Sequence, residues 1–93
     1  MARSRYKIYE EEYPYFITSS IHCGLPLFGI PWITRVVYGA MQFLRNQREV
    51  KIIAYVIMED HLHLIVQGRD LSTKAGHFKS YIARETIDGL KKA

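Results

Sequence analysis

The spacing of apolar positions divides the chain into segments. Over 15–22 the pattern alternates: Tyr15, Ile17, Ser19 and Ile21 fall to one side, and Phe16, Thr18, Ser20 and His22 to the other. The stretch is rich in aromatic and β-branched residues, so a strand is predicted. Gly24, Pro26 and Gly29 then mark a loop. From Pro31 the spacing changes to three and four. Ile33, Val36, Val37, Ala40, Phe43 and Leu44 form the stripe of an amphipathic helix, with Pro31 in its first turn. This helix is expected to end around Arg45 to Gln47. Gly39 weakens it by about 1 kcal/mol relative to Ala, and close packing against a neighbour is the expected reason.

The stretch 52–67 reads as two apolar runs joined by the acidic step Glu59-Asp60. That is the pattern of two antiparallel strands with a tight connection. Gly68-Arg69-Asp70 forms a turn, and Asp70 or Ser72 is placed to cap a second helix. Leu71, Ala75, Phe78 and Ile82 share one stripe of that helix. Ala83, Ile87 and Leu90 lie on a drifted stripe, so the last turns are expected to pack elsewhere or fray. The order strand, helix, strand, strand, helix predicts an α+β domain. Its layout is a ferredoxin-like split βαβ with an antiparallel sheet, lacking the last strand.

At 93 residues the chain is expected to be a single domain, 1–93, with a polar tail over 1–14. Thirteen Lys and Arg against nine Asp and Glu give a net charge of +4, which permits an anionic partner. Cys23 is the only cysteine, so no internal disulfide forms. The longest apolar run, Ile52 to Met58, is far too short for a membrane span, and the N-terminus does not read as a signal peptide. A cytoplasmic protein without a membrane partner is expected. A glycine-rich phosphate loop and a cysteine-based zinc pattern are both absent from the sequence.

Candidate chemistry centres on His61-Leu62-His63. On a strand, residues two apart share a face at a spacing of about 6.5 Å. His61 and His63 therefore project together, while Leu62 and Leu64 point to the other side. Two readings stay open: half-exposed imidazoles without a task, or half of a divalent-metal site whose other positions fall to water, phosphate or a third group. Arg3, Arg5, Tyr6 and Lys7 form a basic, aromatic tail able to meet a phosphate backbone or a base. Lys74, Lys79, Arg84, Lys91 and Lys92 make the second helix basic, for which a solvated face is the commoner explanation.

Several stretches carry a family resemblance: Arg3-Ser4-Arg5-Tyr6-Lys7-Ile8-Tyr9-Glu10, Pro14-Tyr15-Phe16-Ile17-Thr18, Tyr55-Val56-Ile57-Met58-Glu59-Asp60-His61-Leu62-His63-Leu64-Ile65 and Phe78-Lys79-Ser80-Tyr81-Ile82-Ala83-Arg84. A hydrophobic strand, a short acidic step and His-hydrophobic-His resemble the HUH signature. The chain as a whole looks like the REP-associated tyrosine transposases. The resemblance implies that His61 and His63 hold Mg²⁺ or Mn²⁺ beside the scissile phosphate of single-stranded or hairpin DNA. It also implies a tyrosine nucleophile that forms a 5′-phosphotyrosine link, followed by resealing through a 3′-hydroxyl. Arg3, Arg5, Tyr6, Lys7, Lys79 and Arg84 would then contact DNA.

In that family the nucleophile lies on a later helix, accompanied by a Trp-Gln motif, a final strand and an Asn-Pro stretch. None of these occurs in the 93 residues, so the chain is expected to match the N-terminal portion of such a transposase, as a truncated copy or a fragment. Tyr81 is the substitute nucleophile to test, with an edge-of-core tyrosine as the alternative role. The rival reading is a non-catalytic remnant that binds DNA or associates with itself. An unpaired edge on the first strand would favour a homodimer or a swapped assembly.

Overall fold

The structure is a computed structural model that describes residues 14–21 and 24–92. Its elements are β1 (Tyr15–Ser20), a 3₁₀ turn (Leu27–Gly29), α1 (Pro31–Gln47), β2 (Lys51–Ile57), β3 (His61–Gln67) and α2 (Leu71–Lys92). The sheet is antiparallel, with β3 between β1 and β2. This is the expected β-α-β-β-α arrangement, an α+β fold of split βαβ type. Among the described residues the sheet has three strands.

Alternation along β3 sets the layers. Leu62, Leu64 and Val66 are fully buried, while His61, His63, Ile65 and Gln67 are half-buried on the other face. Both helices cover the leucine side. Ile33 and Val37 of α1, with Leu71, Ala75 and Phe78 of α2, join Ile17 of β1 and the three β3 residues in one core. Truncating a side chain so enclosed, as in Leu64→Ala, costs about 2–5 kcal/mol in comparable cores.

β2 is the weaker edge. Only Ile52 and Ile57 are partly buried in it, and its register shifts between Ile52 and Ala54. Ile52 pairs with Val66 and Ala54 with Ile65, so Ile53 is an extra residue, a β-bulge. The bulge lets Tyr55 and Ile57 face the helices and sends Ala54 and Val56 to the histidine side. Tyr55 meets Tyr38 of α1 edge-on, with ring centres 6.0 Å apart. A hydrogen bond to Tyr55 raises the Tyr38 phenol above its usual pKa.

The structure refines four sequence expectations. β1 ends at Ser20, and His22 lies outside the described residues. The connection between β2 and β3 is three residues long, Met58 to Asp60, rather than two. Gly39 is not a close-packing site, because a Cβ added there would meet nothing within 4 Å. The last turns of α2 remain helical, and their buried stripe runs on through Thr86 while Ile87 and Leu90 are exposed. At Gly89 an added Cβ would lie 2.5 Å from the Trp32 ring, so the outer edge of the indole abuts the bare backbone.

These two glycines make opposite predictions. Gly39→Ala should raise stability, since it improves helix propensity by up to about 1 kcal/mol with no clash. Gly89→Ala should lower stability by about 1–3 kcal/mol, because overpacking against Trp32 outweighs the same propensity gain. Chemical denaturation midpoints of the two variants test the pair. Equal shifts would contradict the assigned packing.

Candidate metal and nucleic-acid site

His61 and His63 share the open face of the sheet. Their ring centres are 4.9 Å apart and the ring planes meet at 83°. Burial of Leu62 and Leu64 on the far side fixes the strand and aims both imidazoles outward. Two imidazoles bound to one cation at about 2.1 Å in neighbouring positions hold their ring centres roughly 4.5–5.5 Å apart. The observed separation falls in that range.

Asp60 adds a constraint that the sequence reading did not assign. Its Oδ1 lies 2.8 Å from Nδ1 of His61. A carboxylate accepts hydrogen bonds, so this contact favours the tautomer whose Nδ1–H donates to Asp60 and whose Nε2 lone pair faces outward. The loop that carries Asp60 is tied down at several points. The Asp60 carbonyl accepts from Ile21 N–H, the Glu59 carbonyl accepts from Phe28 N–H, and Met58 N–H donates to the His61 carbonyl. The 3₁₀ turn and the end of β1 thus fix the acidic step from outside the hairpin. The His61 side chain keeps 31% of its surface exposed, so solvent reaches the ring.

Register supplies the neighbours. Ser20 pairs with His61 and Thr18 with His63 on one flank, and Val56 pairs with His63 on the other. Phe16 pairs with Ile65 and is 67% exposed. The open face therefore carries two imidazoles, two hydroxyls and a bare aromatic ring. Sequence alternation already placed Phe16, Thr18 and Ser20 on one side of the first strand. Which side of the sheet that was, and which residues they would oppose, depended on pairing with β3.

Other candidates lie elsewhere. Tyr81, Lys79 and Arg84 belong to α2, in the helical layer, so the sheet separates them from the histidines of the same molecule. Tyr81 is partly exposed, and the Arg84 guanidinium lies 6.0 Å from its ring centre. Arg3, Arg5, Tyr6 and Lys7 fall outside the described residues. Among the described residues no cluster of three or more His, Cys, Asp or Glu forms a complete metal cage. The donor set thus supplies two nitrogens and leaves the remaining positions to water or ligand oxygens. Two imidazoles suit Mn²⁺ better than Mg²⁺, which prefers oxygen and keeps its waters.

No family model matches the chain, and no curated protein matches it in sequence. Among the described residues, no helix is long and apolar enough to cross a membrane.

Paramagnetic broadening offers a direct check of the site. Titrated Mn²⁺ should broaden amide signals around His61, His63, Thr18 and Ser20 while sparing α2. His63→Ala should abolish the effect. Asp60→Asn should weaken it about 10–100-fold, the usual cost of losing a carboxylate that orients a histidine ligand. Broadening that persists in His63→Ala would place the ion elsewhere.

Proposed function

We propose that this chain carries the metal-binding half of an HUH-type centre for cleaving and rejoining single-stranded or hairpin DNA, as in the REP-associated tyrosine transposases. One observation carries the reading. Two imidazoles stand together on the solvent side of a strand whose other side is locked in the core, and a carboxylate sets the tautomer of one. A buried structural role would have turned these rings inward.

In this reading His61 and His63 would hold Mn²⁺ or Mg²⁺ as neutral ligands. When bound, the ion would withdraw charge from phosphoryl oxygens and make phosphorus more open to attack. Asp60 keeps His61 in the ligating tautomer. The hydroxyls of Thr18 and Ser20, in register with the histidines, can donate to phosphate oxygens and hold the strand across β1 and β3. Phe16 offers a flat face on which an unpaired base can stack, a contact worth about 1–3 kcal/mol in single-strand binders. The tyrosine that the mechanism calls for must reach the open face from somewhere other than α2 of the same molecule. Acid would weaken metal-dependent binding, because protonated imidazoles do not ligate.

Incubation with Mn²⁺ and a labelled hairpin oligonucleotide should give binding that depends on the metal and falls at least about tenfold in His61→Ala and His63→Ala. A covalent protein–DNA adduct would establish the catalytic form, and an adduct lost in Tyr81→Phe would show Tyr81 acting between molecules. Binding indifferent to metal and to both histidines would overturn the reading.

A second reading rests on the sheet edge. Among the described residues nothing pairs with the outer side of β1, whose partner β3 lies on its other side. A regular, unprotected edge recruits another strand. The non-catalytic alternative, a self-associating or DNA-holding module, follows from that edge, as does a homodimer. Sedimentation at rising concentration should show a dimer, and Thr18→Pro, placed in the edge strand, should weaken it. A monomer throughout would count against the edge-pairing assembly.

A further inference from the structure

The helical side of the molecule holds a feature that the histidine site does not use. Between α1 and α2 lies a cleft of about 470 Å³. Its floor is apolar, with Ala40, Leu44 and Phe78 all buried. Its rim carries two exposed aromatic side chains, Phe43 and Tyr81. Arg48, Lys74 and Arg84 also line it, and among the described residues no carboxylate does. Lys74 is held in place, its Nζ donating to the Arg48 carbonyl at 2.8 Å.

Gly39 opens this cleft. It stands inside α1, where glycine costs about 1 kcal/mol against alanine. Among the described residues, a Cβ added there would meet nothing within 4 Å, so close packing against them does not account for it. As a lining residue without a side chain, it leaves room that any larger residue would take.

We infer that this cleft binds a small aromatic anion, a molecule with a planar apolar body and one phosphate, sulfonate or carboxylate group. The ring would lie on the apolar floor beside Phe43 and Tyr81. The anionic end would turn to Arg48 and Lys74, which meet at one end of the cleft and where charge-assisted hydrogen bonds are strong. The volume sits within the usual range for small-molecule sites, about 300–1,000 Å³. An apolar floor is of no use to a bare phosphate, and a cationic rim does not suit a neutral ring.

The test uses amide chemical-shift mapping of the full chain with four probes: 8-anilinonaphthalene-1-sulfonate, adenosine monophosphate, adenosine and inorganic phosphate. Saturable shifts are expected at Gly39, Phe43, His77 and Tyr81 and not at His61 or His63. At least one of the two aromatic anions should bind at least about tenfold tighter than adenosine and inorganic phosphate. Binding by the monophosphate alone would assign the anion to a nucleotide, and binding by both would assign it to aromatic anions in general. Gly39→Leu fills the cleft and favours the helix, so it should cut affinity about tenfold or more without lowering the melting temperature. Arg48→Ala should weaken the anions and leave adenosine unchanged. The inference is overturned if neither anion shifts the cleft, if inorganic phosphate binds as tightly, or if Gly39→Leu leaves affinity intact. None of these readouts involves metal or DNA, so the result is independent of the histidine site.

Discussion

Burial of one side of β3 is the constraint on which the rest of the structure depends. Leu62, Leu64 and Val66 are enclosed by both helices, by β1 and by one another. A slip of one residue would turn three large apolar side chains to water and two imidazoles into the core. Each buried leucine contributes roughly 1.5–3 kcal/mol of transfer free energy, and an unpaired buried polar group costs a similar amount. The penalty for the wrong register is therefore several kcal/mol, a large fraction of the stability of a small domain. The outward aim of His61 and His63 is a consequence of that register, set by the core rather than by anything the histidines contact.

The fold is asymmetric across its sheet. One face is closed by two helices, and the other is open among the described residues. That arrangement separates two kinds of chemistry. The open face carries imidazole, hydroxyl and one bare aromatic ring on rigid strands. The helical side carries a cationic cleft with an apolar floor. Lys79 and Arg84, expected to contact DNA, both lie in the helical layer. Arg84 lines the cleft beside Tyr81.

Local irregularities place the working residues. The bulge at Ile53 reverses the facing of β2 beyond it and brings Val56 beside His63. The 3₁₀ turn and the end of β1 hold the Glu59-Asp60 step by its backbone carbonyls, and that anchors the carboxylate that bonds His61. Glu49 and Asp70 take positive φ at the two turns that bracket the hairpin. Such conformations cost a non-glycine residue about 1–2 kcal/mol, so the packing on either side must hold them.

Periodicity alone determined the element order, the helical stripes and the shared face of His61 and His63, because those depend only on residues close in sequence. Most of the buried set of each helix followed from three- and four-residue spacing, although Phe43 of the expected α1 stripe is exposed while Met41 and Thr86 outside the expected stripes are buried; the start of α1 followed from Pro31. Tertiary structure decided everything that needed two distant segments to meet. The opposition of Thr18 and Ser20 to the histidines is a pairing across more than forty residues of chain. The bulge lies inside an unbroken apolar run, so composition gives no sign of it. Gly39 and Gly89 look alike in a helical pattern, yet one borders a cleft and the other abuts the edge of an indole. The physical reason is common to all three: a side chain's neighbours along the chain set its direction, and only the folded core sets what it faces.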